Sequence, residues 1–279
     1  MAANSGISVT DLYERWRKGD HESGGKLAQT ISDWYYAVCT GRFGEEVGKK
    51  IFQQTSARFG AEIVQVQHAA ELIDWSHKIL TDEITAAEIP AEIPSAPSPY
   101  TADISPSDLL RSAKVSLPTE VNLLSAFYSE GLSEQVAIQA APLGGVPGGL
   151  LSARYAIKHW LKQSHELPYK ILPSEPDLDL LPLPLYEAGQ MASPDEEAAF
   201  ERWLLSDNEL CMDVAEFAPI SHALRNGIAD LGEEPEAQLT GDGERLQVGL
   251  ANLALIVGVL CVLVSILVFA FMVGFSVGQ

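Results

Sequence analysis

Residues 117–161 read LPTEVNLLSAFYSEGLSEQVAIQAAPLGGVPGGLLSARYAIKHWL. Pro118 in a first-turn position and the stripe Val121, Leu124, Phe127, Tyr128 predict an amphipathic helix that stops at Glu130-Gly131. Ser133 is the expected cap of a short helix carrying Val136, Ala137 and Ala140, followed by a Pro/Gly turn from Pro142 to Gly145. Pro147-Gly148 then opens a longer helix with Leu150, Leu151, Ala153, Arg154, Ile157, Lys158, Trp160 and Leu161. Short helix, tight turn and longer helix is the helix-turn-helix order; a plain helical hairpin packed for its own core gives the same pattern. Arg154, Lys158, His159 and Lys162 give the last helix a basic side. Arg154, Lys158 and Lys162 are therefore the candidate DNA contacts, because a reading helix needs phosphate anchors to hold its register.

Outward from this stretch the periodicity stays helical. Leu12, Tyr13 and Trp16, then Leu27, Ile31, Trp34, Tyr35 and Val38, recur at three- and four-residue steps, and Ile63, Val66, Ala70, Ile73, Trp75 and Ile79 continue them. Trp34, Tyr35, Tyr36 and Trp75 are able to stack bases, but their helical spacing favours core packing. Residues 85–107, with five prolines among alanines and serines, read as an extended linker. A second proline-rich break covers 167–186; its leucines suggest that part of it docks on a neighbour. Ser193, Pro194 and the acids Asp195, Glu196 and Glu197 form a cap, an N1 proline and an acidic first turn, a strong helix start. No strand-like alternation of useful length occurs, so the soluble part is expected to be all-α.

The 117–161 stretch resembles region 4 of bacterial extracytoplasmic-function sigma factors. The resemblance is carried by Leu117-Pro118, Glu120, the run Tyr128 to Ser133, Ala137, Val146-Pro147 and Leu151-Ser152-Ala153-Arg154. The N-terminal segment resembles region 2 of the same family through Trp16, Gly19-Asp20 and Leu27, through Glu45-Glu46-Val47 with Ile51-Phe52, and through Leu72-Ile73-Asp74-Trp75 with Ile79. Gly48 and Lys49 stand where that region's motif has valine and glutamine, and Ser152 and Ile157 stand where basic residues are common. Residues 181–227 resemble the anti-sigma domain of membrane-bound sigma regulators, through the leucine-tyrosine entry, the Pro194 start, the Phe200 to Leu204 helix and a second helix ending near Leu224-Arg225. Many such domains bind zinc through His-x3-Cys-x2-Cys; the equivalent positions here are Trp203, Asp207 and Leu210, with Cys211 adjacent. One thiol cannot build a tetrahedral site, so the resemblance is to the zinc-less form and no metal or cofactor is expected.

Charge is distributed to match. Residues 171–247 hold 3 basic and 18 acidic groups, whereas 108–170 hold 6 and 5, and the whole chain of 279 residues has a net charge of −20. Such acidity argues against a general nucleic-acid coat. An acidic module beside helices that normally touch DNA can occupy their surface by complementary field; an acidic run is also often just a solvated face. Cys39, Cys211 and Cys261 make neither a disulfide framework nor a CxxC pair. No P-loop, GxGxxG, HExxH or nucleophile elbow is present and the six histidines show no ligand pairing, so no enzyme activity is expected.

Val248 to Phe275 carries no ionisable side chain and is long enough for a transmembrane helix, since about 20 apolar helical residues span a bilayer core. The N-terminus has no apolar core of a signal peptide.

The expected organisation is a sigma region 2-like helical domain (1–84), a Pro-rich linker (85–107), a region 4-like helix-turn-helix domain (108–166), an acidic anti-sigma-like module (167–229), a tether (230–247) and a transmembrane helix (248–275). The expected fold class is all-α: two small helical domains, a short helical module and one transmembrane helix. The resemblance implies a transcription regulator tethered at the bacterial inner membrane, its N-terminal domains cytoplasmic. Such a regulator meets RNA polymerase core and promoter DNA when released. A degenerate sigma-like membrane scaffold or adaptor that binds protein partners and not DNA is the alternative, favoured by the low basicity and the altered region 2 motif.

Overall fold

The computed structural model describes residues 8–89, 98–101, 103–131, 149–170 and 182–227. Nine α-helices and two 3-10 turns account for them. They are α1 (Val9–Arg17), α2 (His21–Glu62), α3 (Leu72–Ala86), α4 (Pro106–Ser116), α5 (Pro118–Glu130), α6 (Gly149–His165), α7 (Pro182–Ala188), α8 (Pro194–Ser206) and α9 (Asn208–Arg225).

Local chemistry sets the ends of these helices. Ser8 caps α1 through the Asp11 amide, and Asp20 caps α2 through the Glu22 and Ser23 amides. Pro106, Pro118 and Pro194 sit in first-turn positions, where a missing N–H loses nothing. Gly131 closes α5 in the left-handed conformation, with φ 63°.

The long α2 is bent. Gly44 has φ 72° and ψ 176°, a backbone region essentially reserved for glycine, so the helix is broken into arms 21–43 and 45–62. The arms fold back on each other. A Cβ on Gly48 would stand 2.6 Å from the Cys39 carbonyl oxygen, and Tyr36 meets Phe52 edge-on at 5.7 Å. Glycine at 44 makes the reversal and glycine at 48 allows the close approach.

Two hydrophobic clusters organise the chain. The first is built on α1, α2 and α3 around Leu27, Ile31, Trp34, Tyr35, Val38 and Leu72, and it also takes Phe200 and Leu204 of α8 and Leu210, Cys211 and Val214 of α9. The second is built on α4, α5 and α6 around Leu109, Leu110, Val121, Leu124, Phe127, Ile157 and Leu161, and it takes Phe217, Ile220 and Leu224 of α9. Trp34 and Tyr35 are wholly enclosed and stack on each other at 5.0 Å, so neither offers a face to a base. α9 thus serves both clusters, its first half in one and its second half in the other. The contacts group Met1–Gly232 into one unit, within which the described helices α1 to α9 pack together.

The expected fold class needs a correction. Its helical part agrees with the described residues, but among them no helix is long and apolar enough to cross a membrane. α2 has the length, yet its sequence carries Lys26, Asp33, Arg42, Glu45, Glu46, Lys49, Lys50 and Arg58. Charges at that density are incompatible with a hydrocarbon environment. The segment 248–275, on which the expectation of a span was placed, lies outside the described residues, as do the tether at 230–247 and the short helix and turn expected between Ser133 and Gly148.

Candidate functional site

The candidate site is the seam between α6 and the acidic C-terminal helices. Arg154 and Lys158 are four residues apart on α6 and so project from one face. Asp213 and Glu216 are three apart on α9 and share a face in the same way. Glu187 reaches in from the end of α7. All five side chains are buried, none more than 1% exposed.

Arg154 binds Glu187 with a two-pronged grip, Nε donating to Oε2 at 2.8 Å and Nη2 to Oε1 at 2.7 Å. Its Nη2 also donates to the Asp213 carbonyl at 3.2 Å, and its Nη1 faces Asp213 Oδ2 as an ion pair. Lys158 Nζ pairs with Asp213 Oδ1 and with Glu216 Oε2. Neutral donors add to these pairs. Tyr128 Oη donates to Glu187 Oε2 at 2.8 Å, and the Lys170 amide donates to Glu216 Oε1 at 2.9 Å. Aromatic faces close the cluster: the Arg154 guanidinium lies 4.5 Å from the Phe217 ring centre, and Lys158 Nζ lies 5.2 Å from that of Tyr169.

Burial works against charge here, and the partners overcome it. Burial pushes the Arg154 guanidinium down, but Asp213 and Glu187 outweigh it and hold the group well above its ordinary value, fully charged. Burial and then the Glu187 charge push the Tyr128 phenol up, so it stays neutral and donates. Tyr155, pushed up by burial, is likewise a neutral neighbour of Asp213.

The same pattern recurs where α8 meets the first cluster. Glu201, 2% exposed, accepts at Oε1 from Arg42 Nη1 at 2.9 Å and from Tyr186 Oη at 3.2 Å. Its Oε2 lies 2.8 Å from His77 Nε2, which is the donor because a carboxylate only accepts. Trp34 Nε1 donates to the Glu201 backbone carbonyl at 2.7 Å. Four buried carboxylates of the C-terminal helices, Glu187, Glu201, Asp213 and Glu216, thus all meet cationic or imidazole groups from residues 1–170.

Of the expected DNA contacts, Arg154 and Lys158 are brought together but are wholly enclosed, and Lys162 is half-buried at the rim. In this arrangement neither of the first two can reach a phosphate. His159 is exposed and sits 2.7 Å from Gln163. His222 binds backbone carbonyls of Thr40 and Gly41.

The acidity of residues 171–247 is plain in the sequence, but not which acids matter. A signal was present. Glu187 stands in LYEAG, and Asp213 and Glu216 stand in MDVAEFAPI. Carboxylates embedded in apolar runs at helical spacing must be buried, and a buried carboxylate requires a partner.

Comparison with known proteins finds no matching family model, no matching curated protein and no matching solved structure. The resemblance to sigma and anti-sigma regions therefore rests on the quoted residues and their order alone.

Proposed function

We propose that this chain is a sigma-factor-like transcription regulator silenced in cis by its own acidic, anti-sigma-like helices. Residues 1–170 are the part that meets RNA polymerase core and promoter DNA. α7, α8 and α9 are the inhibitor. One observation carries the reading: the two central cations of the region 4-like helix, Arg154 and Lys158, are fully covered by Glu187, Asp213 and Glu216. Carboxylates in these positions take the place that phosphates need. Release then requires α9 to leave α6.

The test compares the full chain with a variant carrying Glu187→Gln, Asp213→Asn and Glu216→Gln. These changes keep shape and remove charge. Binding to core RNA polymerase and to promoter DNA is measured at one fixed, stated salt concentration, since phosphate contacts weaken steeply with salt. The expected result is no binding by the parent chain and binding by the variant. A variant that stays folded and binds neither polymerase nor DNA discards the reading.

A second reading has its own support. α9 contributes Leu210 and Val214 to one hydrophobic cluster and Phe217, Ile220 and Leu224 to the other. A helix that completes two cores serves as a permanent strut. On that reading the chain is an adaptor that binds protein partners, and Arg154 and Lys158 are internal counter-ions. Partners recovered with the intact chain decide: polymerase subunits favour the first reading, other proteins without polymerase the second.

A further inference from the structure

The C-terminal end of α9 does something that its pairing with α6 does not require. The carbonyls of Thr40, Gly41 and Arg42 lie at the end of the first α2 arm, next to the break at Gly44, where helical pairing runs out. Side chains of α9 satisfy them. His222 Nε2 lies 3.0 Å from the Thr40 oxygen and 3.0 Å from the Gly41 oxygen, and as carbonyls only accept, that nitrogen carries the proton and donates to both. Arg225 Nη2 donates to the Gly41 carbonyl at 2.7 Å, and Nη1 donates to the Arg42 carbonyl at 3.4 Å. Approach at this point is close: a Cβ on Gly41 would stand 3.0 Å from Val214 Cγ1 of α9.

Two polar anchors therefore lie on one helix. Asp213 and Glu216 hold α6; His222 and Arg225 hold the broken end of α2. Between them sits Pro219, which has no N–H to give to the Ala215 carbonyl. The helix carries its anchors through a region where both cores close on it, so slack at one end is not absorbed by a solvated face: Leu210 to Leu224 are buried at every position except Met212. Loss of the α2 anchor also takes the side-chain donors from the Thr40, Gly41 and Arg42 carbonyls, which is costly unless the helix ends separate and admit water.

We propose that α9 is a bolt that couples the two lobes: freeing its C-terminal anchor from the α2 break opens the enclosure around Arg154 and Lys158, and closing it seals them. This rests on the reading of those two cations as the silenced surface, and adds the control point, the break at Gly44, from which they are unsealed. Any factor that competes for the Thr40 to Arg42 carbonyls, or straightens α2 across Gly44, acts on α6 through α9 without touching it.

The test uses the full chain and follows the reactivity of Lys158. Parent chain, a His222→Ala/Arg225→Ala variant and a Gly41→Ala variant are pulsed with N-hydroxysuccinimidyl acetate. Acetylation of Lys158 is read by peptide mass spectrometry relative to half-buried Lys162, with amide exchange at 40–44 followed in parallel. Gly41→Ala only wedges Val214 away and guards against a double variant that unfolds; circular dichroism confirms that helix content is kept. The expected result is a rise in the Lys158 to Lys162 ratio on the order of 5- to 150-fold, the usual range of coupling between sites. An unchanged ratio in both variants, or faster exchange at 40–44 with Lys158 still protected, overturns the coupling. A reactive Lys158 with no gain in polymerase or DNA binding leaves the bolt standing and overturns the proposed function instead.

Discussion

Arg154 of α6 and Glu187 of α7 meet through two parallel hydrogen bonds of 2.8 and 2.7 Å while both side chains are wholly buried. They stand 33 positions apart in the sequence. A buried pair of this kind gains much Coulomb energy but has lost all hydration, so its net contribution is small while each half alone is a liability. That asymmetry gives the seam its sensitivity to single changes.

Removing one partner leaves an uncompensated charge. Glu187→Ala is expected to lower stability by about 3–5 kcal/mol, read as a lower midpoint in urea unfolding. Arg154→Met combined with Glu187→Leu replaces the pair by apolar groups but also takes Arg154 from Asp213, so it is expected to recover part of that loss. A double variant as unstable as Glu187→Ala rejects this account of the pair.

Acid is expected to loosen the α9 anchor. Burial, and next the Arg225 charge, push His222 down from its ordinary 6.5 to about 3. The unfolded chain therefore takes up a proton more readily than the folded one. Stability is complete above pH 6.5 and falls as pH drops from there toward 3, by about 1.4 kcal/mol for each unit of depression at the acid limit. His165, also lowered by burial, acts in the same direction. Thermal unfolding between pH 7 and 5 is expected to show a declining Tm for the parent and a flatter profile for His222→Gln. Equal slopes for the two chains refute the assignment.

The α2 reversal depends on two glycines for different reasons. Gly44→Ala puts a Cβ on a backbone with φ 72° and ψ 176°, and Gly48→Ala puts one 2.6 Å from a backbone oxygen. Overpacking against backbone that cannot step aside costs about 1–3 kcal/mol, and so does the strained backbone at 44. Each variant is expected to lower the urea midpoint, whereas Gly25→Ala, where a Cβ meets nothing within 4 Å, is not.

Two thiols are expected to be silent. Cys39 and Cys211 are both buried, and burial pushes both well above the ordinary cysteine range. A maleimide is expected to leave both unmodified in the folded chain and to label them in denaturant, as read by peptide mass spectrometry. Rapid labelling of Cys211 under native conditions contradicts the enclosed position of α9.

Much of the local architecture was legible in the residues. Ser193-Pro194 starts α8 and Gly131 ends α5 as their capping chemistry predicts. Trp34 and Tyr35 turned inward as their spacing favoured. These features depend on neighbours within a turn or two, which is the range over which periodicity and caps operate. The reversal of α2 at Gly44 was less visible, because a single glycine inside a helical pattern is usually tolerated in place.

The site itself divides the same way. Arg154, Lys158 and Lys162 stand out in sequence as a basic helical side, and they do occupy one helix. Whether such a side faces solvent or the interior is not a property of its own helix. It is decided by α9, some sixty residues away, whose Asp213 and Glu216 arrive opposite it only once both hydrophobic clusters have closed on that helix. The sequence alone determined that the described chain is helical, where α5 and α8 begin and where α5 ends, and which residues carry charge. Tertiary structure alone decided which charges meet, because pairing across that distance is set by core packing and by the expense of burying any ion without a partner.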